Sequence, residues 1–113
     1  MTIQLKRAYD SAEPQDGFRV LVDRLWPRGV SKGRAAIDLW AKEVAPTPQL
    51  REWFGHDPAR FAEFRVRYVA ELEQNSAVRD LRDLTGQHPV VTLVYGARDE
   101  VHNHAVVLAD YLA

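Results

Sequence analysis

Two short runs constrain the fold of this chain more than any other feature. "FRVLV" at 18–22 and "VVTLVY" at 90–95 are nearly all apolar and rich in β-branched residues. Successive side chains of a strand point to opposite faces of its sheet. A strand with one wet face therefore alternates polar and apolar residues, whereas these runs require cover on both faces. "TIQLKRAY" does alternate, with Ile3, Leu5 and Arg7 set against Gln4, Lys6 and Ala8, and reads as a half-exposed strand that pairs at an edge.

Helical signals fill the space between the two apolar runs. Thr47 caps and Pro48 opens a helix that Gly55 ends. Asp57 caps and Pro58 opens a longer one, with Phe61, Phe64, Tyr68 and Leu72 on one face at three- and four-residue steps. Ser76 is the expected cap of a third, in which Ala77, Leu81 and Leu84 share a face and Gly86 is the stop. Asp99 is the expected cap of a fourth that runs to the C-terminus, with Val101, Ala105, Leu108 and Leu112 as its inner stripe. "SAEPQDG" is a loop with turn chemistry at Pro14 and Asp16–Gly17, and 37–41 reads as a third, short strand. Strand, helices, strand, helix is the order of an α/β domain. The expectation is one domain over residues 1–113: a small three-layer, Rossmann-like sandwich with a mostly parallel central sheet and helices on both faces.

Composition removes several functions. The chain has no cysteine, so disulfide scaffolds, thiolate zinc sites and thiol nucleophiles are excluded. No G-x-G-x-x-G, P-loop or G-x-S-x-G motif occurs, which leaves any cofactor open and acyl transfer unsupported. The net charge is −1, from 15 basic and 16 acidic residues. A protein that binds nucleic acid over its whole surface usually has a pI above ~9, so nucleic acid is not the favoured partner. The N-terminus has no signal-peptide pattern and no run is long enough to span a membrane, so a soluble, cytoplasmic protein is expected.

The charges are uneven. "DRLWPRGVSKGR" at 23–34 follows the first apolar strand and carries Arg24, Arg28, Lys32 and Arg34 around Trp26 and Gly29. In open α/β sheets, ligands bind beyond the carboxyl ends of the strands. The first run ends at Asp23, Arg24, Trp26 and Arg28; the second ends at Tyr95, followed by Gly96, Arg98 and Asp99. Parallel neighbours would bring these loops to one rim, with Lys42 joining from a third parallel strand. A helix start near Asn103 would add backbone donors.

The chemistry expected of that rim is binding of a small anionic ligand, phosphate-bearing or nucleotide-like. Arg24, Arg28 and Arg98 would hold the anion, Trp26 or Tyr95 would stack, Gly29 would allow close backbone approach, and Asn103 would add a polar contact. If a reaction occurs, His56, Asp23 or Asp99 would supply the acid or base.

Each residue also has a plainer reading. The arginines could pair with Asp23, Asp38 or Glu43, Trp26–Pro27 could plug the loop onto the core, Gly29 could serve a simple turn, and Asp57 could be a cap rather than a partner of His56. Trp40 and Trp53 read as core or near-core packing. His102 and His104 stand two apart and diverge on a helix, which argues against a metal site. The competing function is an interaction module that offers loop 23–34 to a protein or nucleic acid, since Arg and Trp are favoured interface anchors.

"KRAYD", "DGFRVLVDRLWPRG", "LWAKEVAP", "LREWFGHD", "FRVRYVAEL", "VTLVYGARD" and "NHAVVL" together resemble the YeaO-like family, a bacterial family of domains of unknown function (family 488). The resemblance runs from about Ile3 to Leu108. It implies an α/β fold and a cytoplasmic protein, and it brings no catalytic residues with it.

Overall fold

A computed structural model describes residues 2–113. The apolar run at 90–95 becomes the strand β4 (Val90–Tyr95), flanked by parallel neighbours on both sides. β1 (Thr2–Arg7) pairs with it on one side and β2 (Phe18–Leu21) on the other, and the two-residue β3 (Leu39–Trp40) extends the sheet beyond β2. The order is β1-β4-β2-β3, all parallel. The alternating run is an edge strand and the two apolar runs are central, which accounts for the difference in their patterns.

Among the described residues, five α-helices cover the sheet: α1 (Lys32–Ala35), α2 (Pro48–Phe54), α3 (Phe61–Glu73), α4 (Ser76–Thr85) and α5 (His104–Leu112). The result is a three-layer α/β sandwich with unequal outer layers. Val20, Val22, Val91, Leu93 and Tyr95 face the thick layer, where they pack with Leu50, Phe64, Tyr68, Leu81 and Leu108 of α2–α5. Leu21 and Val94 face the other side, under Ala8, Trp26 and Ile37. The loop after β2 thus folds back as a lid on the second face. Trp26 anchors it by donating Nε1–H to the Val30 carbonyl at 2.7 Å.

The amino end of the sheet is held by polar contacts. Arg19, buried within β2, donates to Asp16 Oδ2 at 2.6 Å and, through Nε and Nη2, to the Ala35 carbonyl at 3.1 and 2.8 Å. One side chain therefore fastens the last residue of α1 to the turn before β2. The backbone N–H of Glu13 and the side chains of Lys6 and Arg19 outweigh burial, leaving the Asp16 carboxyl below its ordinary range. Gly17 turns the chain there with φ 64°, pressed against Val90.

Several local expectations change. The last helix starts at His104 with Asn103 as its cap: Asn103 Oδ1 accepts from the Val106 N–H at 3.0 Å. Asp99 caps a tight turn instead, accepting from the N–H groups of Val101 and His102 at 2.9 Å each. Val101 accordingly falls outside the helix and is 64% exposed. Asn75, not Ser76, caps α4 through Ala77 N–H, and its buried face is Val78, Leu81 and Thr85, with Ala77 and Leu84 only partly covered. Trp40 is 37% exposed at the β3 edge, with the Lys42 ammonium 4.8 Å from its ring centre.

Candidate functional site

β2 and β4 are in register up to Leu21 and Val94, and Val22 N–H continues the ladder to the Val94 carbonyl at 3.0 Å. The chain emerging from β2 therefore meets the chain emerging from β4. Asp23 Oδ2 accepts the Gly96 N–H at 2.8 Å, tying the two exits together. Its Oδ1 lies 3.2 Å from His104 Nε2, on the first turn of α5. That imidazole is better aligned with the Val22 carbonyl, 3.0 Å from Nε2, so Oδ1 is enclosed without a hydrogen bond of its own.

Arg24 follows. Its Nη2 donates to the carbonyls of Ala45 and Pro46 at 3.3 and 3.4 Å, which fixes the guanidinium without neutralising it. Its Nε is enclosed and unpartnered, and no carboxylate pairs with Arg24 among the described residues. The alternative pairing with Asp23 or Glu43 is therefore not made. Asp38 is occupied by the Arg19 backbone N–H.

These groups open onto a cleft of about 270 Å³. Asp23, Arg24, Asn103 and His104 give it polar lining, Trp26, Phe54 and Phe64 supply aromatic surface, and Arg51 and His56 line it as well. Asn103 is 1% exposed and donates from Nδ2 to the Asp99 carbonyl at 2.9 Å. His56 has φ 56°, the left-handed region, directly after Gly55 at φ 54°. A non-glycine residue there costs about 1–2 kcal/mol. Asp57 does not orient the His56 ring: its Oδ1 caps Ala59 N–H at 3.0 Å, and Oδ2 lies 3.6 Å from Arg60 Nε.

The cleft thus assembles Asp23, Arg24, Trp26, His56 and Asn103 from the expected set. Arg28, Gly29, Tyr95, Arg98 and Asp99 do not line it. Arg28 and Arg98 are exposed, and Gly29 turns with φ 78° in open space. Tyr95 is buried in the thick layer, and burial pushes its phenol pKa up. The Asp99 carboxyl is held down at about 2, first by the His102 N–H, then by the Val101 N–H and the His102 imidazole, whose Nδ1 is 2.8 Å away. Lys42 faces a separate hollow beside Leu81 and Leu84.

Sequence reasoning missed His104 as a cleft residue and did not include Arg51. The usable signal for His104 was its place immediately after a competent Asn cap, beyond the end of a buried strand. Among the described residues, no three His, Asp or Glu side chains converge as metal ligands, and no helix is long and apolar enough to cross a membrane.

A family model described as the inactive DUF488-N3 subclade, DUF488-N3i, matches residues 2–113. The chain belongs to the DUF488 family. It is 48% identical over 113 residues to "Uncharacterized protein YeaO" of Escherichia coli (strain K12), a match covering 99% of this chain and 97% of the relative. It is 46% identical over 110 residues to "Uncharacterized protein Rv3073c" of Mycobacterium tuberculosis (strain ATCC 25618 / H37Rv), covering 97% of this chain and 92% of that one. The same figures hold for "Uncharacterized protein Mb3100c" of Mycobacterium bovis. This DUF488 chain is therefore YeaO-like along almost its whole length. No solved structure matches it significantly.

Proposed function

We propose that this DUF488 domain binds a small phosphate-bearing ligand in the cleft beyond the carboxyl ends of β2 and β4. The observation that carries the reading is Arg24. Its guanidinium is partly buried, held by two backbone carbonyls and unpaired with any carboxylate among the described residues. Leaving such a charge uncompensated is costly, and an anionic ligand compensates it with charge-assisted hydrogen bonds. Arg51 adds a second cation, while Asp23 is the one carboxylate among the described lining residues. Drug-sized ligands usually occupy pockets of about 300–1,000 Å³. A cleft of about 270 Å³ therefore favours a sugar phosphate or smaller over a dinucleotide.

The family description, an inactive subclade, favours binding over turnover. His56 and Asp23 remain the residues to test if turnover is found. Asp99 is used by its own turn.

A thermal-shift panel of phosphate, sugar phosphates, nucleotides and ADP-ribose tests the reading. A ligand at 100 times its Kd stabilises by about 2.7 kcal/mol. A shift in wild type that Arg24→Ala abolishes supports it; an equal shift in the variant rejects it.

A second reading has its own observation. Arg28 and Lys32 are exposed without ionic partners among the described residues, beside Leu25 at 62% exposure. That surface would suit a protein or nucleic-acid partner. Nucleic-acid binding would weaken steeply with salt, and a flat response with single-stranded and duplex probes would reject that form of it.

A further inference from the structure

We infer that the cleft selects a phosphate carrying a nearby hydroxyl, and that His104 Nδ1 accepts the hydroxyl proton's hydrogen bond. The inference rests on the anion-binding reading above and adds the second half of the ligand.

The surroundings of one imidazole carry the second requirement. His104 Nε2 faces two acceptors, the Val22 carbonyl at 3.0 Å and Asp23 Oδ1 at 3.2 Å. A bare ring nitrogen between two oxygens would be repelled by both. Nε2 therefore carries a proton whether the ring is neutral or charged, and the neutral ring has its lone pair on Nδ1. Nδ1 has no hydrogen-bond partner among the described residues, and it is not among the enclosed orphan atoms. It is thus an accessible acceptor on a residue that lines the cleft.

The neighbours of the ring are themselves fixed. Asp23 is pinned through Oδ2 by Gly96 N–H at 2.8 Å, and Tyr68 meets the imidazole edge-on at 6.1 Å between ring centres. Tyr68 is itself fixed by its hydroxyl, which donates to the Val44 carbonyl at 2.6 Å. The Val22 carbonyl, with Asp23 Oδ1 beside it, therefore sets which nitrogen of His104 is offered.

Arg24 supplies the opposite requirement. Nη2 is used by carbonyls, whereas Nη1 has no hydrogen-bond partner and is not enclosed. Two residues that line one cleft thus carry an unneutralised donor, Arg24 Nη1, and an unpartnered acceptor, His104 Nδ1. Bare phosphate satisfies only the first. A phosphorylated polyol or sugar satisfies both, and its C–H face suits the rings of Trp26 and Phe54.

The test uses the full chain with ¹⁵N-labelled histidine at about pH 8, above the ordinary histidine pKa of about 6.5. Inorganic phosphate, ribose 5-phosphate and ribose are titrated by calorimetry and followed by ¹⁵N NMR. Free His104 should show a protonated Nε2 and a bare Nδ1. Ribose 5-phosphate should bind about tenfold tighter than phosphate, the size of one added hydrogen bond. It should move the Nδ1 resonance upfield, and the preference for ribose 5-phosphate over phosphate should vanish in His104→Phe. Equal affinities with an unmoved Nδ1 would leave the anion site standing and overturn this inference. A bare Nε2 in the free protein would overturn it as well. If ribose binds as tightly as its phosphate, or if none of the three binds, both readings fall. The NMR assignment needs no variant, so misfolding of His104→Phe would not protect the claim.

Discussion

Gly96 donates its backbone N–H to Asp23 Oδ2 at 2.8 Å, across 73 residues of chain, and thereby joins the exits of the two central strands. The contact is possible because position 96 has no side chain: a Cβ there would lie 3.0 Å from the same Oδ2. Gly96→Ala should force the carboxylate to move by a few tenths of an ångström. We expect ligand affinity to fall by roughly three- to tenfold, with a stability loss of less than about 1 kcal/mol. Calorimetry and urea denaturation on the same protein separate the two effects.

Gly17 makes a different demand. Its φ is 64°, and a Cβ would lie 2.4 Å from the Val90 carbonyl oxygen. The obstacle is backbone of a central strand and cannot swing aside. Gly17→Ala should destabilise the domain by about 2 kcal/mol or more through strain at φ > 0 and the displaced strand. A lower urea midpoint with an unchanged slope is the expected signature.

Asp16 should shape the acid limb of stability. Its carboxyl is below its ordinary value in the folded protein, so the unfolded chain binds the proton more readily. Its contribution is present above the unfolded value of about 3.9 and is lost as pH falls through the lower folded value. Asp16→Asn should lower stability at neutral pH and flatten its decline at acid pH. Denaturation midpoints measured across the acid range check this. Because Arg19 would lose its buried partner at 2.6 Å, the loss at neutral pH should reach about 3 kcal/mol.

Tyr68 should be a test of a single buried hydrogen bond. Burial pushes its phenol pKa up, so the hydroxyl stays a donor throughout the usable pH range. Tyr68→Phe leaves the Val44 carbonyl without that donor and should cost about 1 kcal/mol, measured by chemical denaturation.

The sheet was legible because two runs lacked a polar face. The caps at Thr47 and Asp57 were legible because Pro follows each, although Asp57 caps a single 3-10 turn, Pro58–Arg60, that leads into α3 rather than α3 itself. Asp and Asn cap equally well, so the sequence offered both Asp99 and a start near Asn103; the folded chain uses Asn103 to open the helix, while Asp99 serves Val101 and His102. Val101 imitated the helical period by chance of spacing. Tyr95 could have been placed by period two, since it shares a face with Val91 and Leu93. The plugging of loop 23–34 onto the core by Trp26 was legible as one of two readings, and Trp26 does pack over Leu21 and Val94. What the composition does not show is that this course leaves Arg28 outside the cleft and Arg24 within it.

That contrast gives the most direct measurement of the central claim. Arg24 and Arg28 stand on the same loop and carry the same charge, but only Arg24 lines the cleft. Ribose 5-phosphate should be titrated calorimetrically into wild type, Arg24→Ala and Arg28→Ala, each first shown to melt cooperatively. The account predicts a loss of at least tenfold in affinity for Arg24→Ala and less than twofold for Arg28→Ala. Wild-type affinity in Arg24→Ala, or a larger loss in Arg28→Ala, would contradict it.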